Sequence, residues 1–393
     1  VVVEEGDTLW SIAEQHLGSG TQWQTIYSAA KAAIEKAAKE HQRPSSEYGH
    51  WIFPGTALRF PGLNTPVVHR LNESSEKVKA YWTKQRMQAA KPAHQPEQTE
   101  HEQPANPAPS EVLRNPLQIP GTAAPHLPKT SAPEHPAGAA AEVWSSHEAM
   151  PASTVGKLYF VLNLPDGQAL PGSCTATVVA AENRSTLWTA GHCVNTGGPV
   201  AGPVELPEGL PAGTPQPPAG TWYSTFMFAP DHSPSGDPHG TWTANQVITP
   251  GGWADVGLRA FDVAALVLDP NGDERVADTT GSQGIRFSGQ LASFTDVYAF
   301  GYPTSLLSGE ALENPEELRY CTGSTRNVFF VLNGLDCNMG QGASGGPWIS
   351  DLQFSRGWGY IVGNSSAQVL TGSFTSPYLG LEALLVYNAA RNA

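Results

Sequence analysis

Three residues in the second half of the chain have the types and settings that acyl transfer through a serine requires. That chemistry needs a base for a weakly nucleophilic hydroxyl, a group that orients the base, and donors for the developing oxyanion. His192 sits in Leu187-Trp188-Thr189-Ala190-Gly191-His192-Cys193, just past a strand-like run, with small residues before it and a cysteine after it. Asp262 heads the apolar run Val263-Ala264-Ala265-Leu266-Val267-Leu268. Ser344 lies in Gly340-Gln341-Gly342-Ala343-Ser344-Gly345-Gly346-Pro347-Trp348. Glycines in such a turn let consecutive N–H groups face one point. Taken singly, each has an ordinary alternative: Asp262 a strand cap, His192 a satisfied polar group, Ser344 a turn residue. Asp255, in Trp253-Ala254-Asp255-Val256-Gly257, is the rival orienting acid, but the residues after it are less apolar.

The elements that must hold these residues read as short strands. Lys157–Asn163, Cys174–Ala181, Thr186–Thr189, Val263–Leu268, Val297–Phe300, Val328–Leu332, Pro347–Ile349 and Gly359–Val362 are punctuated by turn residues, the pattern of a β-barrel or sandwich. Residues 195–220 are rich in Pro and Gly and read as a long surface loop. Gly (40) and Pro (34) together favour turns over long helices throughout the 393 residues. The length calls for two or three domains. The formal charge of −14 gives no basic face for nucleic acid, and no apolar run is long enough to span a membrane. Four cysteines in two close pairs, Cys174/Cys193 and Cys321/Cys337, suggest disulfides and an oxidising compartment, against the alternative of four buried thiols. Their spacing fits no zinc motif, and no metal or cofactor is expected. With no leader in the sequence, a secretory signal removed upstream is the expectation.

Ahead of the strands lie two different zones. Residues 63–150 are rich in Pro, Ala, Glu, Gln and His, with eleven prolines between positions 91 and 140, and read as a mostly disordered linker. A short amphipathic helix within 75–91 is its one structured candidate, and its scattered histidines (His94, His101, His126, His135) read as solvated. Residues 1–62 are patterned. A β-branched run meets a Gly6-Asp7 turn, Asp7 or Thr8 can cap a helix carrying Leu9, Ile12 and Ala13, and a second helix carries Trp23, Ile26, Tyr27, Ala30 and Ile34. Pro54-Gly55 then turns into a strand at Ala57–Phe60, giving the order βααβ.

Two resemblances follow. Glu5-Gly6-Asp7-Thr8-Leu9-Trp10-Ser11-Ile12-Ala13 and Ile52-Phe53-Pro54-Gly55-Thr56-Ala57-Leu58 resemble a LysM domain, although residues 29–50 are longer and richer in Ala than that pattern. The resemblance implies binding of peptidoglycan or chitin through Gly6, Asp7, Thr8, Leu9, Ile52, Pro54 and Gly55. The words around His192, Asp262 and Ser344, in that order, resemble the trypsin-like (chymotrypsin-fold) serine peptidases over roughly residues 152–390. This implies an all-β domain of two six-stranded barrels at 151–393, with Ser344 as nucleophile, His192 as base and Asp262 as its orienter. It implies an oxyanion hole from the N–H groups of Gly342 and Ser344, and the disulfide pairs Cys174–Cys193 and Cys321–Cys337.

The pattern departs from trypsin in two places. Ala343 stands where an Asp would pair with a newly cut N-terminal amine, so that activating ion pair is not available. The residue expected at the pocket base is Asn338, which lacks the carboxylate that binds Arg or Lys. With Val362, Gly363 and Asn364 as further pocket residues, the chain looks closest to the bacterial glutamyl-endopeptidase-like branch, though the strand 360–366 holds no His. The reading is therefore a secreted or cell-wall-associated endopeptidase of protein or peptide substrates, tethered to wall glycan. The alternatives are an inactive pseudo-protease that serves as a peptidoglycan- or chitin-binding protein, and a hydrolase of wall cross-links. Glycan cleavage would need two carboxylates across a sugar cleft, and no such pair stands out.

Overall fold

The structure is a computed structural model that describes residues 2–17, 23–58, 62–93, 97–98, 116–134, 136–207, 209–211, 213–288, 292–328, 332–369 and 373–393. The N-terminal unit forms as its pattern predicts. Thr8 caps helix α1 (Leu9–Leu17), its Oγ1 accepting the Ser11 N–H at 2.9 Å. Asp7 closes the preceding turn by accepting the Glu4 N–H at 2.8 Å. Leu9, Ile12 and Ala13 meet Ile26, Ala30 and Ile34 of α2 (Trp23–Glu40) in a small core with Val3 and Leu58. The long Ala-rich middle is the extension of α2 and a loop tied back to it, with the Ser46 N–H and the Tyr27 hydroxyl both donating to Glu35. The flanking strands shrink to a bridge between Val2 and Ala57. The rest of the strand expected at Ala57–Phe60 falls largely outside the described residues.

The described parts of the segment expected to be a disordered linker are instead built onto the next domain. Strand β1 (Pro66–Arg70) extends the first barrel by pairing with Trp242–Pro250. The expected amphipathic helix forms as two pieces, α3 (Ser75–Tyr81) and α4 (Lys84–Ala89), each capped by a hydroxyl, Ser74 and Thr83. Val78 and Trp82 pack on the outer face of the first barrel with Tyr159 and Met227. Four short strands follow: β2 (Lys91–Pro92), β3 (Glu97–Gln98), β4 (Leu117–Ile119) and β5 (Glu142–Val143). The composition misleads because these pieces hold on by main-chain bonds at sheet edges and by a few anchors such as Trp82 and Trp144. His147 adds a bond to buried Asp231, Nδ1 to Oδ1 at 2.7 Å. Of the linker histidines, His126 is described, with Nε2 3.0 Å from the Thr279 carbonyl; His94, His101 and His135 lie outside the described residues.

The first barrel contains β6 (Val155–Asn163), β7 (Ala169–Val178), β8 (Thr186–Thr189), β9 (Ser224–Pro230), β10 (Trp242–Pro250) and β11 (Ala264–Leu268). Their order β10-β11-β8-β7-β6-β9 closes through the β9–β10 pair, giving a six-stranded barrel. Leu158, Val178, Leu187, Phe228, Val247 and Leu266 fill it from alternate positions. A short helix, α5 (Val276–Thr280), leads to the second half, made of β12 (Gly284–Phe287), β13 (Val297–Gly301), β14 (Arg319–Gly323), β15 (Arg326–Val328), β16 (Leu332–Asp336), β17 (Pro347–Gln353), β18 (Trp358–Asn364), β19 (Ala367–Val369) and β20 (Ser373–Pro377). These strands fall into two sheets, β4-β12-β18-β17-β13-β14-β5 and β15-β16-β20-β19-β3. The strand expected at Val328–Leu332 has its middle outside the described residues. Helix α6 (Leu381–Ala390) closes the chain, packing Ala383, Val386 and Tyr387 against Trp188 and Ile248. The disulfides are Cys174–Cys193 and Cys321–Cys337.

Candidate active site

Each of the three chemical residues stands where an element ends. Strand β8 stops at Thr189 and the chain tightens into a single turn, Gly191–Cys193, that carries His192. The disulfide from Cys193 to Cys174 pins that turn to β7. Gly191 is required there, because a side chain would meet the Trp253 ring at 2.7 Å and Asp262 Oδ1 at 3.0 Å. Asp262 follows the turn Arg259–Phe261 at the entry to β11. Since β11 pairs antiparallel with β8, Ala264 opposite Thr189, the acid and the base come to the same end of adjacent strands.

Asp262 is fully buried and both its oxygens are used. Oδ1 accepts the His192 backbone N–H at 2.7 Å, and Oδ2 faces His192 Nδ1 at 2.8 Å. The Ser366 hydroxyl also donates to Oδ2, and the Asn364 side chain donates to the Asp262 carbonyl at 3.2 Å. Burial alone would raise the Asp262 pKa. The facing His192, the Arg259 guanidinium and the Ser366 hydrogen bond outweigh it and hold the acid below the usual carboxylate range. Asp255, the rival, is exposed on the neighbouring turn. This arrangement fixes the imidazole with Nδ1 toward the carboxylate and Nε2 outward, and Nε2 is buried without a hydrogen-bond partner. Trp253 lies edge-on to the ring at 6.3 Å between centroids.

Ser344 reaches this corner from the second half. Its carbonyl accepts the Thr175 N–H at 2.8 Å, and the Thr175 hydroxyl donates to the Gly342 carbonyl at 3.0 Å. Gly345 (φ +78°) packs so tightly against Thr189 and Ala190 that a methyl group would overlap Thr189 Oγ1. The Ser344 turn therefore abuts the strand end that leads into His192. Ser344 Oγ, like His192 Nε2, is buried and unpartnered. Gly342 adopts φ +95°, and among the described residues neither its N–H nor that of Ser344 is used by another backbone or side-chain acceptor. Ala343 is fully buried against Gly301, so no carboxylate stands beside the serine.

The expected pocket residues sit differently. Val362 faces the second-half core with Trp348 and Phe374, and Asn364 supports Asp262. A side chain on Gly363 would meet Ser376. The Asn338 side chain accepts the Ala141 N–H at 2.6 Å, so its amide oxygen is committed to the preceding segment. Strand alternation is the reason: β18 spends its end residues on the core and the acid. Ser366 is the residue that sequence reasoning did not single out, since its partner lies 104 positions away. Cys174, His192 and Cys193 cluster within reach of one another, but both sulfurs are in a disulfide and cannot bind a metal.

In the N-terminal unit, the Val3 carbonyl accepts the Gly55 N–H, which brings Gly6, Asp7 and Thr8 to the same end as Pro54 and Gly55. Leu9, expected on the glycan groove, is 3% exposed and belongs to the core, whereas Trp10 beside it is 50% exposed. Ile52 is half-buried against that core.

Comparison with known proteins separates the two halves. The LysM domain family model matches residues 1–33. Uncharacterized protein YqbP of Bacillus subtilis (strain 168) is 42% identical over 59 residues, which are 15% of this chain and 26% of that protein. The chain thus spans about a quarter of the length of that relative. The crystal structure of protease Anisep from Arthrobacter nicotinovorans aligns with 64% of this chain and all of its own, at 28% identity and a TM-score of 0.50. The chain joins an N-terminal LysM domain to a trypsin-like serine-protease fold. A thermostable serine protease, AL20, from an extremophilic microorganism is 28% identical, covering 62% of this chain and 98% of its own, with a TM-score of 0.49. A Glu endopeptidase is 17% identical over 66% of this chain and 99% of its own, at 0.45. No described helix is long and apolar enough to cross a membrane.

Proposed function

We propose that residues 151–393 are an endopeptidase domain and that the LysM unit, with residues 1–62, holds it on wall glycan outside the cell. The observation that carries the first part is a pair of buried polar atoms without partners, His192 Nε2 and Ser344 Oγ, not hydrogen-bonded to each other but carried on turns that pack together. His192 is oriented through Nδ1 by an ionised Asp262, and its free Nε2 and the free Ser344 hydroxyl belong to turns packed together. In this reading Ser344 Oγ attacks the peptide carbonyl while His192 Nε2 takes its proton. The charge on the carbonyl oxygen meets the N–H groups of Gly342 and Ser344. The protonated His192 then delivers that proton to the departing amine, and water repeats the sequence on the acyl-enzyme. Asp262 stabilises the imidazolium and stays ionised throughout. Hydrolysis of casein that disappears on Ser344→Ala tests this; equal rates in the two proteins would overturn it.

Glycan retention rests on the matched LysM segment and on two exposed turns, Gly6–Thr8 and Pro54–Gly55, beside the exposed Trp10. Turn N–H and C=O groups suit acetamido groups, and an exposed indole suits a sugar face. Trp10→Ala is expected to weaken pull-down on purified peptidoglycan or chitin roughly tenfold, about 1.4 kcal/mol, and deletion of 1–62 to abolish it. Retention that survives the deletion would remove the tether from the account.

A further inference from the structure

The loop that carries the oxyanion donors holds no charged side chain of its own. Between Cys337 and Ser344 it reads Asn338-Met339-Gly340-Gln341-Gly342-Ala343. Its two glycines must lose their freedom before the Gly342 and Ser344 N–H groups can face one point. The order of this loop therefore comes from the chain around it. One edge is tied to residues 304–307. The Leu307 N–H donates to the Asn338 carbonyl at 2.9 Å, the Gly340 N–H to the Ser305 carbonyl at 2.8 Å, and the Thr304 N–H to the Gln341 carbonyl at 2.7 Å.

The start of the loop is gripped by a turn that precedes both barrels. The Asn338 N–H donates to the Ala139 carbonyl at 2.9 Å, and Asn338 Oδ1 accepts the Ala141 N–H at 2.6 Å. The same turn grips Thr322, whose N–H donates to the Gly138 carbonyl at 2.8 Å and whose Oγ1 accepts the Gly138 N–H at 2.9 Å. Thr322 and Asn338 are the residues that follow the bonded Cys321 and Cys337. A disulfide alone is one link, about which two stretches of chain can pivot; the turn adds a second clasp beside it. Ala141 also packs with Cys337, Met339 and Ala343. The clasp has its own anchor in buried Trp144, whose N–H donates to the Leu318 carbonyl at 2.8 Å, and in Glu142, paired with Tyr320. We infer that residues 138–141 are a positioning element of the active site: they hold Asn338, and through it they keep the Gly340–Ser344 loop in the shape that forms the oxyanion hole. The segment ahead of the barrels then serves the chemistry without touching substrate. This role rests on the peptidase reading above.

In the full chain, Ala141→Pro removes the N–H that Asn338 accepts, and Asn338→Leu removes the acceptor. The two changes are made singly and together and compared with the unaltered chain. Each single change is expected to slow fluorophosphonate labelling of Ser344 at least about tenfold and to speed hydrogen exchange in the fragment covering 338–343. The double variant should label within about twofold of the slower single one, because both changes break the same bond. On casein, Ala141→Pro should lower kcat with KM nearly unchanged, the mark of an interaction that acts in the transition state. A clasp that serves only the fold would lower the urea midpoint and leave the folded protein labelling at the parent rate. That result, unchanged exchange at 338–343, or effects that multiply in the double variant would overturn the inference. Faster exchange with no labelling of the unaltered chain would overturn the peptidase reading, and the positioning role with it, while the clasp itself stood.

Discussion

Asp262→Asn is expected to lower kcat on a peptide substrate about 10⁴-fold while leaving KM and the fold nearly unchanged. The reason is tautomer control. The carboxylate accepts from His192 at two places, the backbone N–H and Nδ1, so the proton sits on Nδ1 and the lone pair on Nε2. An asparagine that keeps its oxygen on the backbone N–H presents its NH₂ group to Nδ1. The imidazole must then accept there and carry its proton on Nε2, where it cannot act as a base. Ser366 would lose its acceptor in the same step. A circular dichroism spectrum like that of the parent, with activity reduced by less than tenfold, would show that the acid does not set the tautomer. Asp255→Asn is the matched control and should leave the rate unchanged, since that side chain is exposed.

The second large effect concerns stability and lies far from the triad. Glu382, in the first turn of α6, is 1% exposed, and neither of its carboxylate oxygens makes a full hydrogen bond. Burial pushes its pKa from 4.5 up to about 7, with only weak relief from the Gly380 and Glu382 amides. The folded state therefore keeps a proton that the unfolded chain releases. The sign is that of a raised carboxylate: stability is greatest below about 4.5, falls as pH rises toward about 7, and then levels off. The full loss is about 3 kcal/mol, at about 1.4 kcal/mol per unit. Glu382→Gln cannot ionise, so it should exceed the parent by about 2–3 kcal/mol in urea unfolding at pH 8 and match it near pH 4.5. A difference of the same size at both pH values would mean that ionisation of Glu382 is not the cause.

The chemical residues were legible in the sequence because each sits in a local word with a physical reason behind it. A turn of glycines admits φ +95° at Gly342 and +78° at Gly345, and Gly191 leaves room for Trp253 and Asp262. The apolar run after Asp262 marked the strand that carries it against β8. What could not be read depends on long-range geometry. Ser366 acts through a partner that only the fold brings near. Strand alternation turns Val362 to the core and Asn364 to Asp262, contacts that the local sequence does not report. The order in the described parts of 63–150 was hidden because those pieces pair through backbone groups, which composition does not report. Helix α6 escaped notice because Leu381–Ala390 is apolar nearly all round and shows no stripe.

The account stands most directly on whether Ser344 is an activated nucleophile. The measurement is mass spectrometry of the full chain after exposure to a fluorophosphonate. The expected result is one adduct, on the fragment containing Ser344, absent in Ser344→Ala and strongly reduced in His192→Ala. An adduct on any other residue, or a folded protein with none at all, would contradict it.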